Sequence, residues 1–203
     1  MTVTEKVIQL PGPRTEGPVS LEKSLLGRRS IRHWADGALK LQDVSQLLWA
    51  AQGVTDARGL RTAPSAGALY PLEIYLVAGH VDRLPAGVYH CRIRQNELSP
   101  VSAGDARKEL YQMALRQGAV ASAPATFAIC AVYRRMTGKY GDRGIRYVHM
   151  EAGHSAQNLS LQAVALNLAS VAIGAFHDRK VHRLFQLAAD ETALYLIPVG
   201  RPL

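Results

Sequence analysis

Cysteine is scarce in this chain of 203 residues, which has only Cys91 and Cys130. Two thiols cannot build a disulfide framework or a four-cysteine metal site. The seven histidines show no His-Glu-x-x-His spacing. We therefore expect reduced cysteines and no metal centre.

Several phosphate-binding and catalytic motifs are also missing from the sequence. It contains no G-x-G-x-x-G, no G-x-x-x-x-G-K-[ST] and no Gly-x-Ser-x-Gly. These absences argue against a Rossmann dinucleotide site, a P-loop and a hydrolase with a nucleophile elbow.

Long apolar runs do not occur either. The most apolar stretch, 159–176, is interrupted by Ser160, Gln162, Asn167 and Ser170. It falls short of the roughly 18 consecutive apolar residues that indicate a membrane-spanning helix. The first twenty residues lack the basic and apolar regions of a secretory signal. We expect a cytoplasmic protein that has no membrane partner.

Positive charge is present in excess. Lysine and arginine number 24 against 16 acidic residues, which gives a formal net charge of +8. The basic residues form small, separated groups, so we expect no nucleic-acid partner. Arginine outnumbers lysine eighteen to six. This bias favours bidentate binding of phosphate or carboxylate, although a GC-rich genome would produce it as well.

Hydrophobic periodicity predicts one α+β domain over residues 20–203, preceded by an extended arm over residues 1–19. The predicted helices cover about 21–26 with Ser20 as N-cap, 41–52 up to Gly53, 105–117 up to Gly118, 145–169 and 178–188 with Asp178 as N-cap. The predicted strands cover 72–78, 87–93, 125–133 and 192–200. The helix over 145–169 is apolar on most faces, which is typical of a buried central helix.

An arginine cluster near residue 30 is the first candidate site. In an extended segment, Arg28, Ser30 and Arg32 share one face, with Arg29 beside them. Two guanidiniums and a hydroxyl suit a phosphate monoester, whereas the alternative is a solvated basic turn. Arg201, directly after the last strand, could close this site or belong to a charged tail.

Two loops are further candidates. Small residues between Pro64 and Pro71 form a rigid loop that can lie against a flat ligand, or a plain connector. Lys139 and Tyr140, between Gly138 and Gly141, offer two groups for proton transfer. The residues alone favour a basic surface loop for this second segment.

Taken together, four segments of the sequence resemble the nitroreductase-like flavoprotein superfamily, and most of all its SagB-type dehydrogenases, which oxidise azolines. The segments are RRSIRHW, APSAGALYPLEIYLV, KYGDRGIRYVHMEAGHSAQNLSLQA and VGRP. The resemblance implies a mainly antiparallel central sheet flanked by helices, an interlaced homodimer, and FMN as cofactor.

The resemblance also implies roles for individual residues. Arg28, Ser30, Arg32 and Arg201 would bind the FMN phosphate, with Arg29 beside them. Pro64, Ser65, Ala66 and Gly67 would lie along the flavin, and the backbone of Gly174 and Ala175 would approach flavin N5. The pair that matches the substrate-deprotonating residues of azoline oxidases is Lys139 and Tyr140.

The sequence departs from simple nitroreductases at two places. The usual Asn and Gln-Pro-Trp of the loop are replaced by Ala68 and by Tyr70-Pro71-Leu72, which favours the SagB-type branch. The Gly-Leu-Gly often found after the central helix is replaced by the residues at 166–170, so Gly174 and Ala175 are assigned by position and not by a matching motif.

The expected function is hydride transfer to or from flavin N5, with oxidation of an azoline-like heterocycle in a small molecule or modified peptide. One alternative is an NAD(P)H-dependent nitro or quinone reductase. Another is a flavin-binding protein without catalysis.

Overall fold

The computed structural model describes residues 6–203. The helices are α1 (Leu21–Gly27), α2 (Leu41–Gln52), α3 (Arg107–Met113), α4 (Gly118–Ser122), α5 (Arg134–Tyr140), α6 (Arg143–Ala165) and α7 (Asp178–Leu184). The strands are β1 (Ile8–Gln9), β2 (Trp34–Ala35), β3 (Leu72–Ala78), β4 (Gly87–Arg92), β5 (Glu97–Ala103), β6 (Ala125–Val132), β7 (Ala169–Ser170) and β8 (Glu191–Pro202). Within these residues no helix combines the length and apolarity that crossing a membrane requires.

The strands form a sheet in the order β1-β5-β4-β3-β6-β8-β2, and β7 pairs with β8 beside this path. Every pairing between these strands is antiparallel. The predicted α+β class with a mainly antiparallel central sheet is confirmed.

Helices cover both faces of the sheet because the side chains of its central strands alternate between two apolar clusters. On β3, Ile74 and Leu76 pack into the cluster that contains α2 and α6. Tyr75 and Val77 point the other way, into the cluster that contains α3, α4 and α7. The sheet therefore divides the core into two layers, and α6 dominates one of them.

Several predicted boundaries are confirmed. The Ser20 hydroxyl caps α1 by accepting from the Lys23 N–H at 3.2 Å. Gly53 ends α2, where its N–H donates to the Trp49 carbonyl at 2.7 Å. Strands β3, β4, β6 and β8 lie at the predicted positions, to within two residues.

The arm before α1 contacts the domain along the part that the structure describes. Ile8 pairs with Leu98 of β5, and Leu10 is buried in the core. The Arg14 N–H donates to the Gln46 side chain at 2.8 Å. Residues 1–5 of the predicted arm lie outside the described residues.

Three predicted helix extents are wrong. The central helix ends at Ala165, because Asn167 adopts a φ of 56° and turns the chain into β7. The helix predicted over 105–117 ends at Met113, where Leu115 and Arg116 take positive φ, and Gly118 begins α4. Helix α7 ends at Leu184 rather than near 188, and its N-cap is His177.

Strand β5 was missed by the sequence prediction. It carries Ser99, Pro100 and Ser102, which lower its β propensity. Its pairing with β4 is irregular between Val88 and Tyr89, and Pro100 fits such a place because it lacks an N–H for the ladder.

Candidate active site

The two ends of the domain meet at one edge of the sheet. Ser30 bridges to Ser170, and the Ile31 N–H donates to the Ser170 carbonyl at 3.2 Å. Ser170 in turn pairs with Val199 of β8, and Arg201 pairs with Ala35 of β2. The backbone thus brings the segment 28–32 and Arg201 together at this edge.

The guanidiniums at this edge are open to solvent. Arg32 and Arg201 are exposed and Arg28 is half-buried. None of these three takes part in an ion pair with another residue of 6–203. Three positive charges without carboxylate partners form a surface suited to a phosphate group. We call Arg28, Ser30, Arg32 and Arg201 the arginine edge.

The Arg29 side chain has a different role from those of Arg28, Arg32 and Arg201. Its Nη1 donates to the carbonyls of Leu26 at 3.0 Å and Arg28 at 2.8 Å. These carbonyls lie at the end of α1, where an Arg side chain stabilises the helix. Arg29 therefore caps α1 in this structure.

Gly174 and Ala175 lie along the same side of β8 as the arginine edge. They follow Ile173, which forms a bridge with Leu196 of β8. Both residues are exposed, and the Ala175 carbonyl accepts from Gln117 Nε2 at 2.9 Å. The Gly174 backbone remains accessible to a ligand at this edge.

The loop between Pro64 and Pro71 is held in an unusual backbone conformation. Gly67, Ala68 and Tyr70 have φ values of 63°, 53° and 47°, and such positive values are costly for residues other than glycine. The Ser65 hydroxyl stabilises this shape by accepting from the Tyr70 N–H at 2.9 Å. Pro64 and Gly67 are exposed, while Ser65 and Ala66 are half-buried.

Lys139 and Tyr140 reach this loop. A Cβ built on Gly67 would lie 2.7 Å from Tyr140 Oη and 3.0 Å from Lys139 Nζ. A side chain at position 67 would have to displace these two groups, which lie against the loop backbone.

The pair lies in the last turn of α5, so the prediction of a glycine-bounded loop is wrong. Lys139 Nζ is 5.5 Å from the centroid of the Tyr140 ring, and Tyr147 of α6 packs edge-on against that ring at 5.1 Å. The helix end and Tyr147 fix the phenol, whereas the Lys139 side chain is exposed.

A buried carboxyl group lies beneath the loop. Glu151 of α6 is only 2% exposed, and its Oε1 accepts from Gln52 Nε2 at 3.4 Å. Burial raises the pKa of Glu151 to about 7, against the lowering effects of hydrogen bonds with Ser65 and Gln52 and of the Arg61 charge. Its Oε2 has no hydrogen-bond partner among the described residues.

Arg61 connects this carboxyl group to the loop. Its Nη1 donates to Gln52 Oε1 at 2.9 Å, and its guanidinium lies 4.6 Å from the centroid of the Tyr70 ring. Sequence reasoning missed Glu151, Gln52 and Arg61. The available signal was a Glu in the apolar pattern of the central helix, where burial requires polar partners.

The arginine edge and the Lys-Tyr pair lie against different ends of α6. At the edge, Ser170 Oγ donates to Ser160 Oγ at 3.2 Å. At the loop, Ser65 contacts Glu151. Nine residues of helix separate Ser160 from Glu151, which corresponds to about 14 Å. The residues expected to hold one cofactor therefore form two separate groups within this chain.

Comparison with known proteins identifies the family. The Nitroreductase family profile matches residues 25–201. A nitroreductase homologue from Methanocaldococcus jannaschii is 43% identical over 194 residues, which cover 96% of each chain. The chain belongs to the nitroreductase family.

Three further proteins extend this comparison. A nitroreductase homologue from Ralstonia eutropha has a crystal structure that matches all of this chain and 92% of its own, with a TM-score of 0.86 and 30% identity. The microcin B17-processing protein McbC of Escherichia coli is 28% identical over 156 residues, 73% of this chain and 57% of McbC. The NADPH:FMN oxidoreductase from Vibrio harveyi, solved with NAD+, shares the fold at a TM-score of 0.65 and 22% identity over 90% of this chain and 68% of its own.

Members of the nitroreductase family are flavin-dependent oxidoreductases. Because this chain belongs to the family, it is a flavin-dependent oxidoreductase. Its own residues fit a flavin mononucleotide. The arginine edge supplies positive charges that no carboxylate of residues 6–203 neutralises. Gly67 is exposed and has no side chain, so its backbone is accessible to a flat ring.

Proposed function

We propose that the protein is an FMN-dependent dehydrogenase of the SagB type, which oxidises an azoline-like heterocycle to an azole. The observation that carries the proposal is the position of Lys139 Nζ and Tyr140 Oη against the backbone at Gly67. A proton acceptor beside the loop that would lie along the flavin is what removal of two hydrogens from a ring requires. The 28% identity to McbC, the microcin B17-processing protein, also supports it.

The arginine edge would hold the FMN phosphate. Arg28, Arg32 and Arg201 offer charged donors, and Ser30 adds a hydroxyl. The backbone of Gly174 and Ala175 would meet the ring near N5, and the loop from Pro64 to Gly67 would lie along it. When bound, FMN supplies a two-electron acceptor at N5.

We infer that FMN lies between two copies of the chain. The arginine edge and the loop lie against different ends of α6, so a partner's loop could complete the site at each edge. Large apolar side chains on α1 and α6 are exposed and would be buried by a second copy. They are Leu21, Leu25, Leu26, Ile145 and Met150.

In this account the protein's side chains handle the proton. Lys139 Nζ or Tyr140 Oη takes a proton from a ring carbon of the substrate while the neighbouring carbon gives up a hydride. The substrate thereby loses two hydrogens and gains a double bond. Dioxygen or another acceptor later takes up the two electrons.

The second candidate is reduction of quinones or nitro compounds with electrons from NAD(P)H. The 43% identity to the nitroreductase homologue of Methanocaldococcus jannaschii favours it. Here the same site beside the flavin would accept the nicotinamide donor first and the second substrate afterwards. The predicted location in the cytoplasm is compatible with either reaction and stays a prediction.

Anaerobic mixing separates the two candidates. The FMN-loaded protein is mixed with a thiazoline-containing peptide or with NAD(P)H, and the flavin absorbance is followed. The proposal predicts bleaching by the peptide and an azole product two hydrogens lighter by mass spectrometry. Bleaching by NAD(P)H alone, with the peptide unchanged, would assign the reductase function instead.

A further inference from the structure

A cleft lies beside the proposed reaction site at Lys139 and Tyr140. It has a volume of about 410 Å³ and lies between the loop that ends at Tyr70, strand β3, the turn between β4 and β5, and the start of α5. Its basic and acidic lining residues are Arg61, Glu73, His90, Arg92, Arg94 and Arg135.

Part of this charge is neutralised within the protein. Glu73 lies 2.9 Å from His90 Nε2 and forms an ion pair with Arg135. Burial raises the pKa of Glu73, but these two partners outweigh it, and the net pKa lies below its usual range. Arg92 pairs with Glu97 at 3.0 Å.

Arg61 and Arg94 are left with positive charge. Neither forms an ion pair with any residue in the described part of the chain. Arg94 is exposed and reaches the turn at Gly59, where a Cβ would lie 3.4 Å from its Nη2. The cleft therefore presents two guanidiniums that no carboxylate of residues 6–203 pairs with.

Arg61 is held in place rather than free to move. Its guanidinium stacks over Tyr70 and is anchored by Gln52, while its Nε is buried without an acceptor among residues 6–203. Burial lowers the pKa of Arg61, against the raising effect of Glu73, but a guanidinium stays charged at neutral pH. A fixed, half-buried cation that lines a cleft is suited to an anionic ligand.

The cleft adjoins the proposed reaction site through the loop and α5. Arg135 and Lys139 are four residues apart on α5 and therefore lie on the same face of that helix. Arg135 Nη1 also donates to the Tyr70 carbonyl at 3.2 Å, which joins α5 to the loop. A molecule that reacts beside Lys139 could place a substituent in this cleft.

We propose that this cleft binds a carboxylate or phosphate group of the molecule that reacts beside Lys139 and Tyr140, through Arg61 and Arg94. The inference rests on the proposed function for the location of the reaction. It adds that the enzyme selects anionic reactants, because planar guanidiniums bind both groups in bidentate fashion.

The test is calorimetric titration of the FMN-loaded protein with 4-nitrobenzoate and with its neutral isostere 4-nitrobenzamide. Bound FMN occupies the arginine edge, so the titration reports on other cations. A parallel titration compares NADP+ with NAD+, which differ by one phosphate. Binding is measured without turnover, so a protein that is inactive in every assay can still be tested for this site.

The variants are Arg61→Gln, Arg61→Lys and Arg94→Gln, with Arg179→Gln on α7 as a control of equal charge change outside the cleft. We expect the wild type to bind 4-nitrobenzoate or NADP+ at least tenfold more tightly than its uncharged or dephosphorylated counterpart. Loss of one charged contact should reduce this preference about tenfold. Arg61→Lys should restore part of the preference lost in Arg61→Gln, and Arg179→Gln should leave it unchanged.

The two arms distinguish the source of the anion. A preference for the benzoate assigns the anionic group to the substrate, and a preference for NADP+ assigns it to the electron donor. The proposal is wrong if the wild type shows neither preference, or if the preference is equal in Arg61→Gln, Arg94→Gln and Arg179→Gln. Binding that requires a colourless, FMN-free protein would place the anion at the arginine edge and contradict this site. A protein that takes up no FMN but keeps a preference that Arg61→Gln and Arg94→Gln lose would contradict the proposed function and leave this site standing.

Discussion

At the scale of single residues, the pair Lys139 and Tyr140 carries the proposed chemistry. Both belong to the last turn of α5, and both lie against the loop backbone at Gly67. A helix end positions them more firmly than the predicted surface loop would. The sequence motif identified the two residues, but their contact with residue 67 could not be read from it, because it depends on long-range packing.

The double variant Lys139→Ala with Tyr140→Phe should retain FMN and lose turnover. Removing a general base reduces the rate by about 10² to 10⁴, while phenylalanine keeps the packing against Tyr147. Flavin absorbance and azoline oxidation of the purified variant are compared with those of Lys180→Ala on α7. Full activity in the double variant would remove the pair from the mechanism.

Glu151 should make stability depend on pH. Burial raises its pKa from 4.5 to about 7, so the folded state holds a proton that the unfolded state has lost between those values. The stabilisation from the protonated carboxyl is complete below pH 4.5 and is lost as the pH rises through 7. The free energy of unfolding should fall by up to about 3 kcal/mol over this range.

The variant Glu151→Gln should remove this dependence. We expect it to be more stable than the wild type by up to about 3 kcal/mol at pH 8 and within about 1 kcal/mol of it at pH 5. Urea denaturation at both pH values, with equal saturating FMN, measures the difference. A variant that is equally destabilised at both pH values would show that Glu151 is ionised in the folded protein.

At the scale of secondary structure, the sequence predicts an element and its end correctly where strong hydrophobic periodicity is followed by a clear stop signal. Helix α2 is an example, because its apolar face ends at Gly53. The signal fails where a non-glycine residue adopts positive φ, as Asn167 does after α6 and Leu115 does after α3. Apolar residues continue past both ends, so only tertiary packing determines the break.

The loop before β3 gives a prediction at this scale. Gly67→Ala places a Cβ at a φ of 63° and 2.7 Å from Tyr140 Oη. We expect a loss of about 1–2 kcal/mol in stability and at least a tenfold loss of turnover as Tyr140 and Lys139 are displaced.

Gly138→Ala on α5 is the matched control. A Cβ there meets nothing within 4 Å. Alanine in a helix interior stabilises a protein by about 0.5–1 kcal/mol relative to glycine. Thermal denaturation and steady-state rates compare the two variants. Equal activity in both would mean that the approach of Gly67 to the pair has no functional role.

At the scale of the whole molecule, the strand order explains how distant segments form one site. Strand β8 pairs with β2, β6 and β7, and these contacts bring Arg201 to the segment 28–32. The sequence motifs predicted that both would serve the phosphate, but only the register places them at one edge. The separation of this edge from the loop by about 14 Å of helix could not be predicted from local sequence.

The inferred dimer should depend on the exposed leucines of α1. Leu25 and Leu26 are 52% and 76% exposed, and glutamate at both positions would place two charges in the inferred interface. Sedimentation should show a wild-type dimer, and the double variant should be monomeric and release FMN. Leu115→Glu, at a side chain that is 51% exposed and distant from α1, should remain dimeric. A wild type that is monomeric with FMN bound would contradict the shared site.

The FMN dissociation constant tests most directly whether the arginine edge is the phosphate site. It is determined by fluorescence titration for the double variant Arg28→Gln with Arg201→Gln, for the wild type and for Arg179→Gln. Loss of two charged contacts should weaken FMN binding by about 10² to 10⁴, while Arg179→Gln should match the wild type. An unchanged dissociation constant in the double variant, or a wild type that binds no FMN at all, would contradict the account.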